Sequence, residues 1–264
     1  MRNKLTDELA VCGLKAAIAL AEYHPETINR LFLREDCFNL FTKTCKKLAE
    51  RKRPYKICKD EELERICKSV HHQGVVMMIA EPKIEPLTRE DLDFWAQEGK
   101  TGLVLYEVGN DHNLGAIARA AAFFDAHFII LNEHDHEARL STSAYRVAEG
   151  GMEHITVRTT GDTAAFLRDA AKKIVVIGTD VRARRRISDL SGIVKDKSLH
   201  FGSVLPGGSR RPGIALVLGN EENGLPQNIK DKCSCLLRVP GTGNIESLNV
   251  SQVAALFLRQ IYDL

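Results

Sequence analysis

The residues whose types could carry chemistry fall in two stretches of the chain. In 111–119 the order Asp-His-Asn-Leu-Gly-Ala-Ile-Ala-Arg sets an amide at Asn113, a bare backbone at Gly115 and a guanidinium at Arg119. In the last fifth of the chain, Gly219-Asn220-Glu221 follows the aliphatic run Ile214–Leu218. Pro240-Gly241-Thr242-Gly243 follows a second aliphatic run over 236–239, and Ser247-Leu248-Asn249 comes shortly after. Carboxylates, amides and a fixed cation can hydrogen-bond a polar substrate, orient one another or ease the movement of a proton. Glycines let a turn tighten or a ligand approach the backbone. A short aliphatic run closed by turn residues reads as a buried strand. Ser247 stands where a helix N-cap belongs, ahead of Val250, Val253, Ala254, Phe257 and Leu258. Two strand ends and one helix start therefore meet at Gly- and Asn-rich loops, the setting of a small-molecule site at the carboxyl edge of a sheet. The commoner nucleotide signatures are excluded. Leu-Pro follows Gly224 where a phosphate-binding loop needs Lys and a hydroxyl residue, and no Gly-x-Gly-x-x-Gly opens a helix after a strand.

Three motifs in this order resemble the SpoU family of RNA 2′-O-ribose methyltransferases, of the SPOUT class. They are Asn113-x-Gly115-x-x-x-Arg119, then Leu-Val-Leu-Gly219-Asn-Glu221, then Val239-Pro240 with Gly243 and Ser247-Leu248-Asn249-Val250, and together they cover roughly residues 100 to 262. The resemblance implies an α/β fold, a parallel sheet whose C-terminal segment is threaded into a trefoil knot, and a homodimer built on that region. It implies S-adenosylmethionine as cofactor, held at Gly219, Val239, Leu248 and Ser247, and no metal. It implies a catalytic set of Arg119, Asn113, Glu221 and Asn249 that transfers a methyl group to a ribose 2′-hydroxyl of ribosomal or transfer RNA. The family describes the matching arginine as the base. A guanidinium is effectively always protonated, so binding a phosphate or stabilising the developing alkoxide stand as further roles for Arg119. The chain departs from the family at Gly241, where a bulky apolar residue usually follows Val-Pro. The alternative of another class is a non-catalytic RNA-binding protein that keeps the fold.

The remainder of the chain must position these residues. With 264 residues, 44% of them hydrophobic, it suits one large or two modest domains with a real core. No apolar run has the length of a bilayer span and the N-terminal residues lack a signal-peptide core, so the expected location is cytoplasmic. Seven cysteines argue for free thiols over a disulfide framework. The net charge of +2 says little about partners, whereas its distribution says more.

Residues 1–80 read as a small α/β domain: a helix over 11–22, a strand over 29–33, a basic amphipathic helix over 40–53, a strand over 55–58, a helix over 61–69 and a buried strand over 74–80. The pattern, with His71-His72-Gln73-Gly74, resembles the L30e-like RNA-binding domain that precedes many SpoU catalytic domains. On the 40–53 helix, Leu40, Phe41, Cys45 and Leu48 are expected to face inward. Lys43, Lys46, Lys47, Arg51, Lys52, Arg53, Lys56 and Lys59 offer either a solvated face or a phosphate-contacting one. Residues 81–99 read as a linker with a turn or two of helix near 91–97. From 100 to 264, strands alternate with helices, the pattern of a parallel sheet. Asn113 is expected to cap a helix. The stretch 180–212 reads as long and irregular, and its Arg182, Arg184, Arg185, Arg186, Arg210 and Arg211 suit an RNA-facing loop.

Overall fold

A computed structural model describes residues 2–3, 7–133, 139–200 and 211–264. Arg210 lies outside these residues. The chain folds into two compact units. The first is Met1–Lys83 together with Leu114–Arg119 and Arg139–His154, and the second is Ile84–Asn113, Ala120–Ala138 and Ile155–Leu264.

The first unit holds a five-stranded sheet. Its strands are β1 (Arg2–Asn3), β2 (Glu8–Cys12), β3 (Ile28–Leu33), β4 (Tyr55–Ile57) and β5 (Val75–Ala80), in the order β1-β2-β5-β3-β4. Helices α1 (Leu14–Tyr23), α2 (Thr42–Glu50) and α3 (Asp60–Cys67) complete it. The helix expected over 11–22 is corrected at its start. Val11 and Cys12 belong to the buried strand β2, paired antiparallel with β5, and helix begins only after Gly13. Gly13 has φ +97, a conformation L side chains rarely adopt, and this bend ends the strand before the Ala- and Leu-rich run can take a helical path. The basic helix is corrected too. Residues Glu35–Phe41 form a 3-10 helix, and the tighter winding turns Leu40 outward to 60% exposure while Phe41, Cys45 and Leu48 stay buried. His72 is buried, and its Nδ1 accepts a hydrogen bond of 3.0 Å from the backbone N–H of Gly74. All seven cysteines are free thiols.

The second unit is built on a seven-stranded, all-parallel sheet. Its strands are β6 (Thr101–Leu105), β7 (Ala126–Asn132), β8 (Thr156–Thr160), β9 (Val175–Thr179), β10 (Arg185–Arg186), β11 (Ile214–Leu218) and β12 (Cys235–Arg238), in the order β10-β12-β9-β11-β6-β7-β8. The central strands β6 and β11 are buried along their whole length, as parallel strands covered on both faces require. The helices in chain order are α4 (Arg89–Gln97), α5 (Asp111–Phe123), α6 (Thr142–Ala148), α7 (Thr163–Ala170), α8 (Leu190–His200), α9 (Gln227–Lys230) and α10 (Val250–Tyr262). Of these, α6 and the middle of α5 belong to the first unit.

The stretches read as a linker and as irregular carry regular elements among the described residues. Within 81–99, Thr88 and Asp91 close a capping box on α4, and Trp95 from that helix is fully buried, stacked on Phe128 with centroids 5.0 Å apart. Trp95 Nε1 donates to Ile214 O at 3.2 Å. Two glycines make room for Trp95: a Cβ at Gly102 would lie 2.4 Å from its Cζ2, and one at Gly213 would lie 2.8 Å from its backbone O and 3.1 Å from its Cδ1. Within 180–212 the chain forms β10, a 3-10 turn over Ile187–Asp189 and the helix α8. Leu190, Ile193 and Val194 are buried there, at the three- and four-residue spacing of one helix face. The arginine run before them hides that period.

Candidate active site

Because β6, β9, β11 and β12 run parallel and are neighbours, their carboxyl ends bring four loops to one edge of the sheet. A cleft of about 750 Å³ opens there, lined by the residues after β9, by 218–225 after β11 and by 237–248 after β12, with Val250, Val253 and Phe257 of α10 behind them. Gly219, Val239, Ser247 and Leu248 all lie on its wall, as does Glu221. The volume suits a small-molecule cofactor.

The loop after β11 is wound on itself. Asn220 Oδ1 accepts from the backbone N–H groups of Glu222 at 2.9 Å and Asn223 at 3.0 Å, while Asn220 Nδ2 donates to Glu107 O at 2.9 Å. Gly224 N donates back to Asn220 O at 2.9 Å, and Gly224 takes φ +66. A Cβ at Gly219 would sit 2.5 Å from the backbone carbon of Gly224 and 2.6 Å from Leu225 N. Glycine at 219 is thus demanded first by the loop's own closure. Gly241 stands in open space, with nothing within 4 Å of a Cβ built there.

Three of the four residues of the implied catalytic set meet. Asn113 Nδ2 donates to Glu221 Oε1 at 2.6 Å, and Asn249 Nδ2 donates to Asn113 Oδ1 at 3.0 Å. Asn113 is buried, so both ends of its amide are committed and its orientation is fixed. Two capping expectations are corrected. The cap of α5 is Asn110, whose side chain accepts from His112 N at 2.8 Å, and Asn113 lies within the helix. The cap of α10 is Asn249, whose Oδ1 accepts from Ser251 N at 2.8 Å, so Ser247 is left in the exposed loop on the cleft wall. A cap must sit next to the first helical N–H groups, and Ser247 is too far upstream to reach them.

Arg119 follows Asn113 by six residues on α5, which turns it about 120° around the helix and about 9 Å along it. Its partner is Glu149 in the first unit: Arg119 Nη2 lies 3.0 Å from Glu149 Oε2, and Lys15 Nζ donates to the same oxygen at 2.7 Å. The Lys15 hydrogen bond, with the charges of Arg119 and Lys15, holds the Glu149 carboxyl below its ordinary range.

Sequence reasoning missed the charged residues on the β9 and β12 sides of the cleft. Asp180 Oδ2 pairs with Lys230 Nζ at 2.8 Å, and Asp180 Oδ1 accepts from Arg182 N at 2.8 Å. Burial pushes this carboxyl up, but the Lys230 and Arg182 contacts outweigh it and leave it below the usual range. The available signal was position: a parallel strand aims whatever follows it at the sheet's carboxyl edge.

A parallel sheet with a cleft at its carboxyl edge, closed by glycine loops around an Asn–Glu–Asn cluster, is a small-molecule-binding α/β architecture. Residues 100–259 match the SpoU rRNA Methylase family, and residues 10–85 match the family described as RNA 2′-O ribose methyltransferase substrate binding. The chain belongs to the SpoU rRNA methylase family. Among its relatives, YacO of Bacillus subtilis carries a TrmH family tRNA/rRNA methyltransferase name. It is 31% identical over 195 residues, covering 72% of this chain and 70% of that protein. The 23S rRNA (guanosine-2′-O-)-methyltransferase RlmB of Nitrosomonas europaea is 26% identical over 260 residues, covering 98% and 92%. An AdoMet-bound rRNA methyltransferase from Sinorhizobium meliloti shares the fold, with a TM-score of 0.72 and 23% identity over 97% of this chain and 87% of that one.

Proposed function

We propose that this protein is an S-adenosylmethionine-dependent RNA 2′-O-ribose methyltransferase acting on ribosomal or transfer RNA. The observation that carries the reading is the Asn113–Glu221–Asn249 cluster beside the cleft, in a chain of the SpoU family. Its relatives are named for this chemistry and supply the substrate class. The cleft fits the cofactor. Leu218, Leu237, Val239, Leu248 and Phe257 offer an apolar slot, and the backbone at Gly241 and Gly243 stands in open space on the cleft wall. When bound, S-adenosylmethionine supplies an electrophilic methyl group on a sulfonium.

The protein's own residues then hold and align the nucleophile. Gly219, Val239, Ser247 and Leu248 bind the cofactor. The committed amide of Asn113 orients Glu221 and Asn249 toward the ribose, which reduces the search for an in-line approach. Arg119 serves as a fixed positive charge that binds a phosphate or stabilises the developing alkoxide. A protonated guanidinium suits that role better than the role of base.

The organisation follows the same reading. The first unit binds RNA, with exposed Lys43, Lys46 and Lys47 of α2 as phosphate contacts. Arg53 is otherwise employed, donating to the carbonyls of Glu26 and Ile28, and Lys56 pairs with Glu62. The residues from 100 onward are the catalytic domain, with the C-terminal segment threaded as a trefoil knot. The second unit dimerises, and exposed Phe123 and Tyr262, linked through the Phe124 ring, offer apolar surface for it. Among the described residues no helix is long and apolar enough to cross a membrane, and the free thiols suit the cytoplasm. The test is to map 2′-O-methyl positions in RNA from cells with and without the protein, alongside calorimetry with S-adenosylmethionine. One ribose methylation lost on deletion and restored by the gene is expected. A folded protein that binds RNA but has no affinity for the cofactor would leave a non-catalytic RNA-binding protein.

A further inference from the structure

The edge strand β10 pairs with β12 in parallel, with Arg185 opposite Leu237 and Arg186 opposite Arg238. Register partners on neighbouring strands point their side chains to the same face, with backbones about 4.8 Å apart. Arg186 and Arg238 are therefore two like charges side by side, an arrangement that costs stability unless an anion lies between them. Among the described residues neither guanidinium has a carboxylate partner, and the Nε of Arg238 is buried without a hydrogen-bond acceptor. Two of the nearby carboxylates are engaged elsewhere. Asp189 accepts from the backbone N–H of Arg186 at 2.9 Å, and both oxygens of Asp180 are taken, by Lys230 and by Arg182 N. Arg238 lines the cleft, and so does Arg182. Arg182, Arg184, Arg185 and Arg186 are all exposed.

We propose that Arg186 and Arg238 form a clamp for a phosphodiester of the RNA at the edge of the cleft, with Arg182 and Arg184 continuing the track in the segment before the strand. This rests on the methyltransferase reading and adds the surface that delivers the substrate. A planar guanidinium matches the phosphate oxygens in a bidentate fork. The number of charges separates RNA from the carboxylate of the cofactor. One carboxylate neutralises one guanidinium, whereas a row of unpaired arginines leading to the cleft requires a polyanion. An edge strand also carries charge to prevent sheet-to-sheet pairing. That role is met by Arg185 and Arg186 alone and leaves the buried Nε of Arg238 without a purpose.

The full-length protein carrying Arg186→Gln and Arg238→Gln is compared with the parent for binding of a labelled single-stranded RNA oligonucleotide across a KCl series, and for S-adenosylmethionine by calorimetry. Losing the one phosphate that the pair neutralises should make the slope of log affinity against log salt shallower by about 0.7. RNA affinity at low salt should fall about tenfold or more. Cofactor affinity should stay within about twofold in Arg186→Gln, since Arg186 does not line the cleft. Lysine at both positions should restore most of the slope. Arg186→Gln alone, at an exposed edge position, should remove about half of the slope change and guards against a folding defect in the double variant. A charge-matched control on α7, Arg168→Gln with Lys172→Gln, should change neither quantity. The clamp is overturned if the slope is unchanged, if the control loses as much as the double variant, or if cofactor binding falls while RNA binding is intact. A parent protein that binds RNA with the expected slope difference yet methylates nothing would sink the methyltransferase reading and keep the clamp.

Discussion

Arg119 is the residue on which the chemistry divides. Its guanidinium rests on Glu149, which Lys15 also holds, so the cation sits in a small ion-pair network on the first unit. If its charge is what the reaction uses, Arg119→Lys keeps the charge, loses the planar fork and should retain partial activity. Arg119→Ala should lose on the order of a hundredfold or more, the usual scale for a positioned electrostatic group. If the residue must give up a proton, lysine has the lower intrinsic pKa and should gain ground as pH rises. Single-turnover pH–rate profiles of the three forms, with saturating cofactor, separate the two. Near-parental methylation by the alanine form would leave Arg119 a surface residue. Asn113, Glu221 and Asn249 were named through the family motifs that contain them. The caps were not, because Ser247 and Asn249 are both good N-caps and only the path of the loop selects between them.

At the scale of elements, the central strands of the parallel sheet were legible because fully buried strands are unbroken aliphatic runs, whereas β10, two exposed arginines, was not. The failures have local causes. The strand β2 is followed by an Ala- and Leu-rich helix, and the boundary rests on Gly13 alone. The helix α4 was read only as a turn or two near 91–97, because Pro82, Pro86 and an acidic run suggested a linker, although its Thr88–Asp91 capping box is visible in the sequence once sought. That helix carries a prediction. A chain starting near Gly99 would lack Trp95, which fills space left by Gly102 and Gly213. Removing a buried tryptophan costs about 3–5 kcal/mol. A fragment from Ile84 onward keeps α4 and should therefore melt at a higher temperature than one from Gly99. Equal melting temperatures for the two fragments would show that α4 adds nothing to the core.

At the scale of the whole molecule, pH stability has an identifiable buried contributor. Glu153 lies in the 3-10 turn Gly151–His154 with its side chain 5% exposed, and its Oε1 has no hydrogen-bond partner. His24 Nε2 stands 3.6 Å from Oε2. Burial pushes the carboxyl up to about 7 from 4.5, against the opposing effect of His24. The folded state therefore holds this proton more tightly than the unfolded chain. Its stabilising contribution is complete below about 4.5 and is lost as pH rises through about 7. The swing is on the order of 3 kcal/mol. Denaturant titrations at pH 6 and pH 8 should show the parent losing stability over this interval, and Glu153→Gln losing distinctly less. The same pH dependence in both proteins would remove Glu153 as its source.

The sequence by itself determined the parallel α/β class, the family and the chemical types at the cleft. These follow from aliphatic run lengths, glycine placement and residue identity, all of which are local. Only the tertiary structure decided that Asn113 bridges Glu221 and Asn249, that Arg119 rests on Glu149, and that Arg186 and Arg238 stand side by side. Each of these pairings joins residues far apart in the chain, except Arg119 and Glu149, which join through a change of helix. Strand order and register, set by which buried faces fit together, place them, and no period within a single segment encodes that choice.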